Sequence, residues 1–220
     1  MWRWLPALLL VAACGGASGS AAEPDPTPTP SATPSATPSP APSATPKPTP
    51  SATPKPTPVE RADPRWRFYT ADRTSHSSPW FAGRHRVMIG FGCTPAPYYD
   101  HDPRCPDRQG FHHGIDVAMP CGTLLTSAVD GVVLDPSSSG SPGAAYGERP
   151  FGIRTGEVDV LIGHARQVFV HPGDRVREGQ RIALSSDSGA PDGCHLHFEV
   201  RRPGTGLSGA VDPAGLLQLS

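Results

Sequence analysis

The chain has 220 residues, 29 of them proline, and its 19 Lys and Arg against 20 Asp and Glu leave a formal charge of −1. That balance, with no basic block in the C-terminal part, gives no support for nucleic-acid binding. The longest apolar run, roughly ten residues near the N-terminus, is half of the ~20 that a membrane-spanning helix needs.

Taken in chain order, MWRWLPALLLVAACGG places Arg3 ahead of an apolar run that ends in small residues, the layout of a secretory signal. Val11-Ala12-Ala13-Cys14 resembles a bacterial lipobox, which predicts a lipoprotein signal peptide over 1–13 and a lipid on Cys14; cleavage after a nearby Ala or Gly is the alternative. Either way the protein is expected to be exported. Residues 14–60 read as a disordered tether. Within it, positions 23–58 are almost entirely Pro, Ser, Thr and Ala, with SATP and KPTP recurring. Frequent proline favours extended polyproline II, so this stretch could reach about 110 Å at ~3.1 Å per residue, enough to carry a lipid-anchored domain into the cell wall or periplasm.

Residues 61–220 are long enough for one globular domain with its own core. No helical period is sustained. Short apolar or alternating runs (86–91, 158–163, 166–170 and 195–200) are separated by Gly, Pro, Ser and Asp, so the domain is expected to be all-β. Four cysteines, Cys93, Cys105, Cys121 and Cys194, make two disulfides the default in an oxidising compartment, with three connectivities possible. Cys93 with Cys105 and Cys121 with Cys194 are favoured; the first closes a local loop, and the second requires residues 121 and 194 to meet in space. A zinc site made of these thiols lacks any CxxC pair.

CHLHFEV (194–200) holds two imidazoles one residue apart. In a strand His195 and His197 share a face while Leu196 and Phe198 take the other. In FHHGIDVAMPCGT (111–123) an extended backbone puts His112, Gly114 and Asp116 on one face, with His113 turned away. Two imidazoles and a carboxylate leave the fourth position of a tetrahedral zinc site open, the arrangement of a catalytic rather than a structural site. Zinc lowers the pKa of bound water from about 16 toward ~7, so the expected nucleophile is metal-activated water. His76, His85 and His101 lie in poorly patterned sequence and are expected to face solvent, and His171 precedes a Pro-Gly turn.

HxGxD from His112 to Asp116 followed by HxH from His195 to His197 resembles the M23 metallopeptidases of the LytM and lysostaphin type, and MPCGTLLTSAVDGVV, HPGDRVREGQRIAL and VDPAGLL extend the similarity over about 111–217. The resemblance implies antiparallel sheets forming an open groove. It makes His112, Asp116 and His197 the Zn2+ ligands, with His195 as a catalytic histidine beside the metal. His164 is placed as a second catalytic histidine, although Ile162 and Gly163 stand where the family has Tyr and Ala. The implied function is a zinc-dependent endopeptidase acting on peptidoglycan peptides, with a monomer expected; the alternative is an inactive relative that binds the wall or activates another hydrolase. A shared ion would also bring the strands bearing Cys121 and Cys194 together. HPGDRVREGQ further resembles biotinyl and lipoyl carrier domains, but both lysines, Lys47 and Lys55, are in the tether, so a lysine-linked carrier is excluded.

Overall fold

A computed structural model describes residues 62–220; the expected signal sequence, Cys14 and the tether lie outside these residues. Fourteen short strands account for most of the regular structure described. They are β1 (Ser75–Ser78), β2 (Phe81–Ile89), β3 (Gly92–Thr94), β4 (Gly110–His112), β5 (Gly114–Ala118), β6 (Leu124–Thr126) and β7 (Gly131–Val133), then β8 (Phe151–Arg154), β9 (Asp159–Gly163), β10 (Ala165–Val168), β11 (Arg175–Val176), β12 (Arg181–Ser185), β13 (His195–Arg201) and β14 (Ala210–Val211). One four-residue helix, α1 (Ala214–Leu217), follows.

Twelve strands join one sheet whose main path runs β10-β12-β6-β2-β5-β13-β9-β8-β7-β11, while β3 and β4 pair separately. Every pairing is antiparallel. β13 is central, between β5 and β9, and its alternation divides the two faces. Leu196, Phe198 and Val200 enter the core with Ile115, Val117, Val160, Ile162 and residues of β6, β7, β8 and β12. A single sheet that supplies the walls of one core from so many strands must curl, which leaves its other face as a groove. Trp80 meets Phe198 edge-on at 4.8 Å and donates its indole N–H to the Leu216 carbonyl, closing α1 over the core. Each such fully buried large side chain contributes about 1.5–3 kcal/mol.

His85 departs from expectation. β2 begins at Phe81, five residues ahead of the apolar run visible in the sequence, so His85 falls inside the strand. It is buried, with its ring 5.4 Å from Phe81 and bonded to the Ala82 carbonyl at 2.8 Å.

The structure joins Cys93 to Cys105 and Cys121 to Cys194, with Cα atoms 5.4 and 5.2 Å apart. The second bridge ties the loop after β5 to the residue before His195. The segment at the start of the domain packs on it: Trp66 donates its indole N–H to the Cys194 carbonyl at 2.6 Å, and the Cys194 amide donates to Asp63 at 3.2 Å. The two cysteines are 73 residues apart. Opening so long a loop is expected to cost about 2–4 kcal/mol. Urea unfolding of a Cys121→Ala, Cys194→Ala double variant measures it, and a midpoint equal to wild type would show that the bridge adds nothing.

Gly114 sets how closely β5 approaches β13. A Cβ there would lie 2.7 Å from the Phe198 carbonyl oxygen and 2.8 Å from Cε1 of His197. Gly114→Ala must therefore push the His197 ring aside or part the strands, with an expected loss of about 1–3 kcal/mol and weaker metal uptake. A thermal melt together with zinc titration tests both effects; unchanged zinc affinity would refute the steric account.

Candidate active site

The groove face of β13 carries His195, His197, Glu199 and Arg201. Across the ladder His197 stands opposite Asp116 of β5 on one side and Gly163 of β9 on the other. His112 arrives from β4, held by the small sheet through its pairing with Gly92, and the chain bends at His113 before entering β5. Three strands thereby aim three donor atoms at one point. His112 Nε2 lies 3.1 Å from His197 Nδ1, His197 Nδ1 lies 2.9 Å from Asp116 Oδ1, and Asp116 Oδ1 lies 3.3 Å from His112 Nε2. All three residues are buried. Ligands of a tetrahedral zinc ion at 2.0–2.2 Å are about 3.3–3.6 Å apart, so this triangle fits an ion with small relaxation.

Backbone and side-chain acceptors decide which nitrogen each imidazole offers. A carbonyl oxygen can only accept, so the ring nitrogen facing it carries the proton. His112 donates from Nδ1 to the Gly90 carbonyl at 3.0 Å, His195 from Nδ1 to Gly193 at 2.9 Å, and His164 from Nδ1 to Ser188 at 2.7 Å. In all three, Nε2 is left for the other contacts of the site, bare in the neutral ring and a donor in the charged one. His197 is turned the other way: Nε2 donates to Glu199 at 3.2 Å and Nδ1 faces the triangle. An outer partner that orients a ligating histidine in this way is a usual companion of a metal site.

The charges agree. Burial opposes ionisation of Asp116, but the attraction of His112 and His195 and the bonds from His112 and His197 outweigh it and hold its carboxyl well below the usual range. Burial likewise opposes charge on His197, yet the hydrogen bonds to Asp116 and Glu199 raise it to about 9. Metal uptake would have to displace the proton that these bonds favour on His197.

His195 and His164 stand beside the triangle. His195 Nε2 is 3.6 Å from Asp116 Oδ1, and the His164 ring centroid is 4.4 Å from that of His195. Neither belongs to the set whose donor atoms all lie within 4.8 Å of one another, which comprises His112, Asp116 and His197. His164 follows β9 with φ +56°, a left-handed conformation uncommon for a non-glycine residue and found preferentially at functional sites. Its amide donates to the Tyr146 carbonyl at 2.7 Å and its carbonyl accepts from the Ser186 hydroxyl at 2.7 Å, so neighbouring loops hold that conformation. Burial, and next the nearby His195, push its imidazole down to about 4, leaving it neutral near pH 7.

The groove over these residues has a volume of about 810 Å³ and is lined by Tyr98, Tyr99, His113, Tyr146 and Leu207 among others. Tyr98 and Leu207 are two of the three large apolar side chains exposed among the described residues. Burial and then the charge of Asp116 push the Tyr99 hydroxyl up, so it remains a phenol. His113 stays out of the triangle but faces the groove, with its ring 5.0 Å from that of Phe111.

The sequence profile of Peptidase family M23 matches residues 110–213, the span that contains the whole triangle and both neighbouring histidines. Residues 110–213 belong to peptidase family M23. Relatives of the chain include the peptidoglycan DD-endopeptidase ShyA of Vibrio cholerae, 36% identical over 94 residues, which cover 42% of this chain and 21% of that protein. The lipoprotein NlpD/LppB homolog of Pseudomonas aeruginosa is 35% identical over 111 residues, covering 50% of this chain and 34% of that one. The match therefore spans about a fifth of the first relative's length and about a third of the second's. Among solved structures, the antimicrobial peptidase lysostaphin of Staphylococcus simulans superposes with a TM-score of 0.50 at 23% identity, covering 67% of this chain and 55% of that one, a likeness of fold.

Glu199, Tyr146 and Arg201 escaped the reading of the sequence. Glu199 carried a usable signal, since it lies two residues beyond His197 and so on the same face of one strand. Tyr146 carried none, because it sits in a Gly-, Ser- and Pro-rich connection between β7 and β8.

Proposed function

We propose that the protein is a zinc-dependent endopeptidase that hydrolyses peptide bonds of peptidoglycan. His112, Asp116 and His197 would hold the metal, and His164 and His195 would act as catalytic histidines. The triangle of donor atoms, with each of its imidazoles oriented by a hydrogen bond on the ring nitrogen that faces away from it, carries this reading. Bound zinc would supply Lewis-acid activation of water and of the scissile carbonyl. Beside it, one neutral imidazole accepts the proton that water loses as the C–O bond forms and returns it to the amine nitrogen as the C–N bond breaks. The second histidine donates to the oxygen on which charge develops. Tyr98, Tyr99 and Leu207 border the path of an extended peptide.

Peptidoglycan as substrate is favoured by the activity named for the Vibrio cholerae relative and by the proline-rich sequence at 23–58, long enough to place the domain within a wall. Export and lipid attachment through Cys14 follow from the first 14 residues and agree with the lipoprotein named in Pseudomonas aeruginosa. No helix among the described residues is long and apolar enough to cross a membrane. The protein is proposed to act as a monomer.

Incubating the mature protein with purified wall fragments, with and without a chelator, and weighing the products tests the proposal. New peptide ends that appear only without chelator, and return when zinc is restored, are expected. Intact fragments under all conditions, with tight binding to the wall, would instead indicate the non-catalytic alternative.

A further inference from the structure

Tyr146 lies at the end of a short 3-10 turn (Ala144–Tyr146) in the connection between β7 and β8, and it contacts both halves of the centre. Its hydroxyl donates to Glu199 Oε2 at 2.7 Å, the oxygen that also accepts from His197 Nε2. Arg201 donates to the same hydroxyl at 2.6 Å and to the Gly140 carbonyl at 3.2 Å. The Tyr146 ring stands edge-on to His197, with centroids 5.0 Å apart. At the other end of the residue, the Tyr146 carbonyl accepts the His164 amide at 2.7 Å.

A phenol has one hydrogen, and here it is committed to Glu199, while Arg201 occupies the oxygen. Although Tyr146 borders the groove, its hydroxyl is therefore not free to donate to a substrate. Burial, followed by the charge of Glu199, pushes the phenol up, so it stays protonated at neutral pH. Arg201 is buried, and its guanidinium is divided between Glu199, Tyr146 and Gly140. The connection between β7 and β8 is thus pinned to the strand that carries His197.

We propose that Tyr146 is a positioning residue that couples the third metal ligand to His164. The chain His197–Glu199–Tyr146–His164 sets the separation between a metal-binding nitrogen and a proton-accepting one, and the clasp of Arg201 on Gly140 and Tyr146 holds that setting. The inference rests on the peptidase reading for its effect on turnover, but its effect on metal binding stands without it.

Tyr146→Phe in the full chain removes the hydroxyl while keeping the ring and the carbonyl to His164. Expected results are a roughly tenfold weaker zinc dissociation constant in competition with a chromophoric chelator, an altered absorption spectrum of the cobalt-substituted protein, and a kcat on wall fragments reduced about 10–100-fold with KM within about threefold. Glu199→Gln should weaken zinc further. The double variant should lose less than the product of the two single losses, because both break the same chain. A raised KM with unchanged zinc affinity and cobalt spectrum would overturn the inference in favour of substrate contact, and unchanged values throughout would overturn it outright. A melt within a few degrees of wild type guards against simple unfolding. A wild type that binds zinc but cuts no fragment sinks the peptidase reading, while the zinc comparison still decides the role of Tyr146.

Discussion

Replacing Asp116 or His197 with alanine is expected to abolish both zinc retention and wall hydrolysis. Each supplies one corner of a buried triangle with edges of 2.9–3.3 Å, and two remaining ligands cannot enclose an ion in that geometry. An affinity loss of a thousandfold or more, about 4 kcal/mol, is anticipated from losing one of three protein ligands. Asp116→Ala has a second consequence. It removes the nearer of the two carboxylates that raise His197 to about 9, so the His197 ring should titrate at lower pH in the metal-free variant. Metal analysis after dialysis gives the first result, and ring chemical shifts followed against pH give the second. Retention of one zinc per chain by either variant would remove that residue from the ligand set.

His195→Ala and His164→Ala should behave differently. Both rings lie outside the triangle, so zinc should remain bound at one per chain, whereas turnover should fall by about 10²–10⁴-fold, the usual contribution of a positioned acid or base. The KM for wall fragments should change little, because neither imidazole is expected to provide binding that is equal in ground and transition states. His195 stands 3.6 Å from Asp116, and some weakening of zinc in that variant is consistent with the shared surroundings. If His195→Ala lost zinc as completely as His197→Ala, the division between ligand and catalytic histidine would be wrong. His164→Gly offers a further check: it keeps the left-handed backbone at φ +56° without strain, so inactivity there would reflect the missing imidazole and not a displaced loop.

The strand character of the domain was legible because its apolar runs are short and punctuated by turn residues. Boundaries were less so. β2 starts at Phe81, where the sequence suggested a beginning at Arg86, because its first residues are held by pairings that no apolar pattern marks: Ser78 and His76 of β1 pair with Phe81 and His85, and Phe81 pairs also with Leu125 of a strand far away in the chain. His85 was misplaced for the same reason. The cysteine pairs illustrate the distinction again: Cys93 and Cys105 are local partners, whereas joining Cys121 to Cys194 required β5 and β13 to be neighbours, a relation that no local pattern states.

Period-two alternation was sufficient to put His195 and His197 on one face; HxGxD nominated His112 and Asp116, which the structure brings together from β4 and β5 although the chain bends at His113 between them. What alternation could not supply was the choice between the nitrogens of each ring, the left-handed turn at His164 and the clasp of Tyr146 and Arg201 on Glu199. Apart from the local Gly193 carbonyl at His195, those depend on groups brought in from other strands and loops, at Gly90, Ser188 and Gly140. Residue type and spacing along one strand can assign chemistry to a side chain, but the orientation of His112 and His164 is set by carbonyls 22 and 24 residues away, and only the assembled sheet puts them within reach.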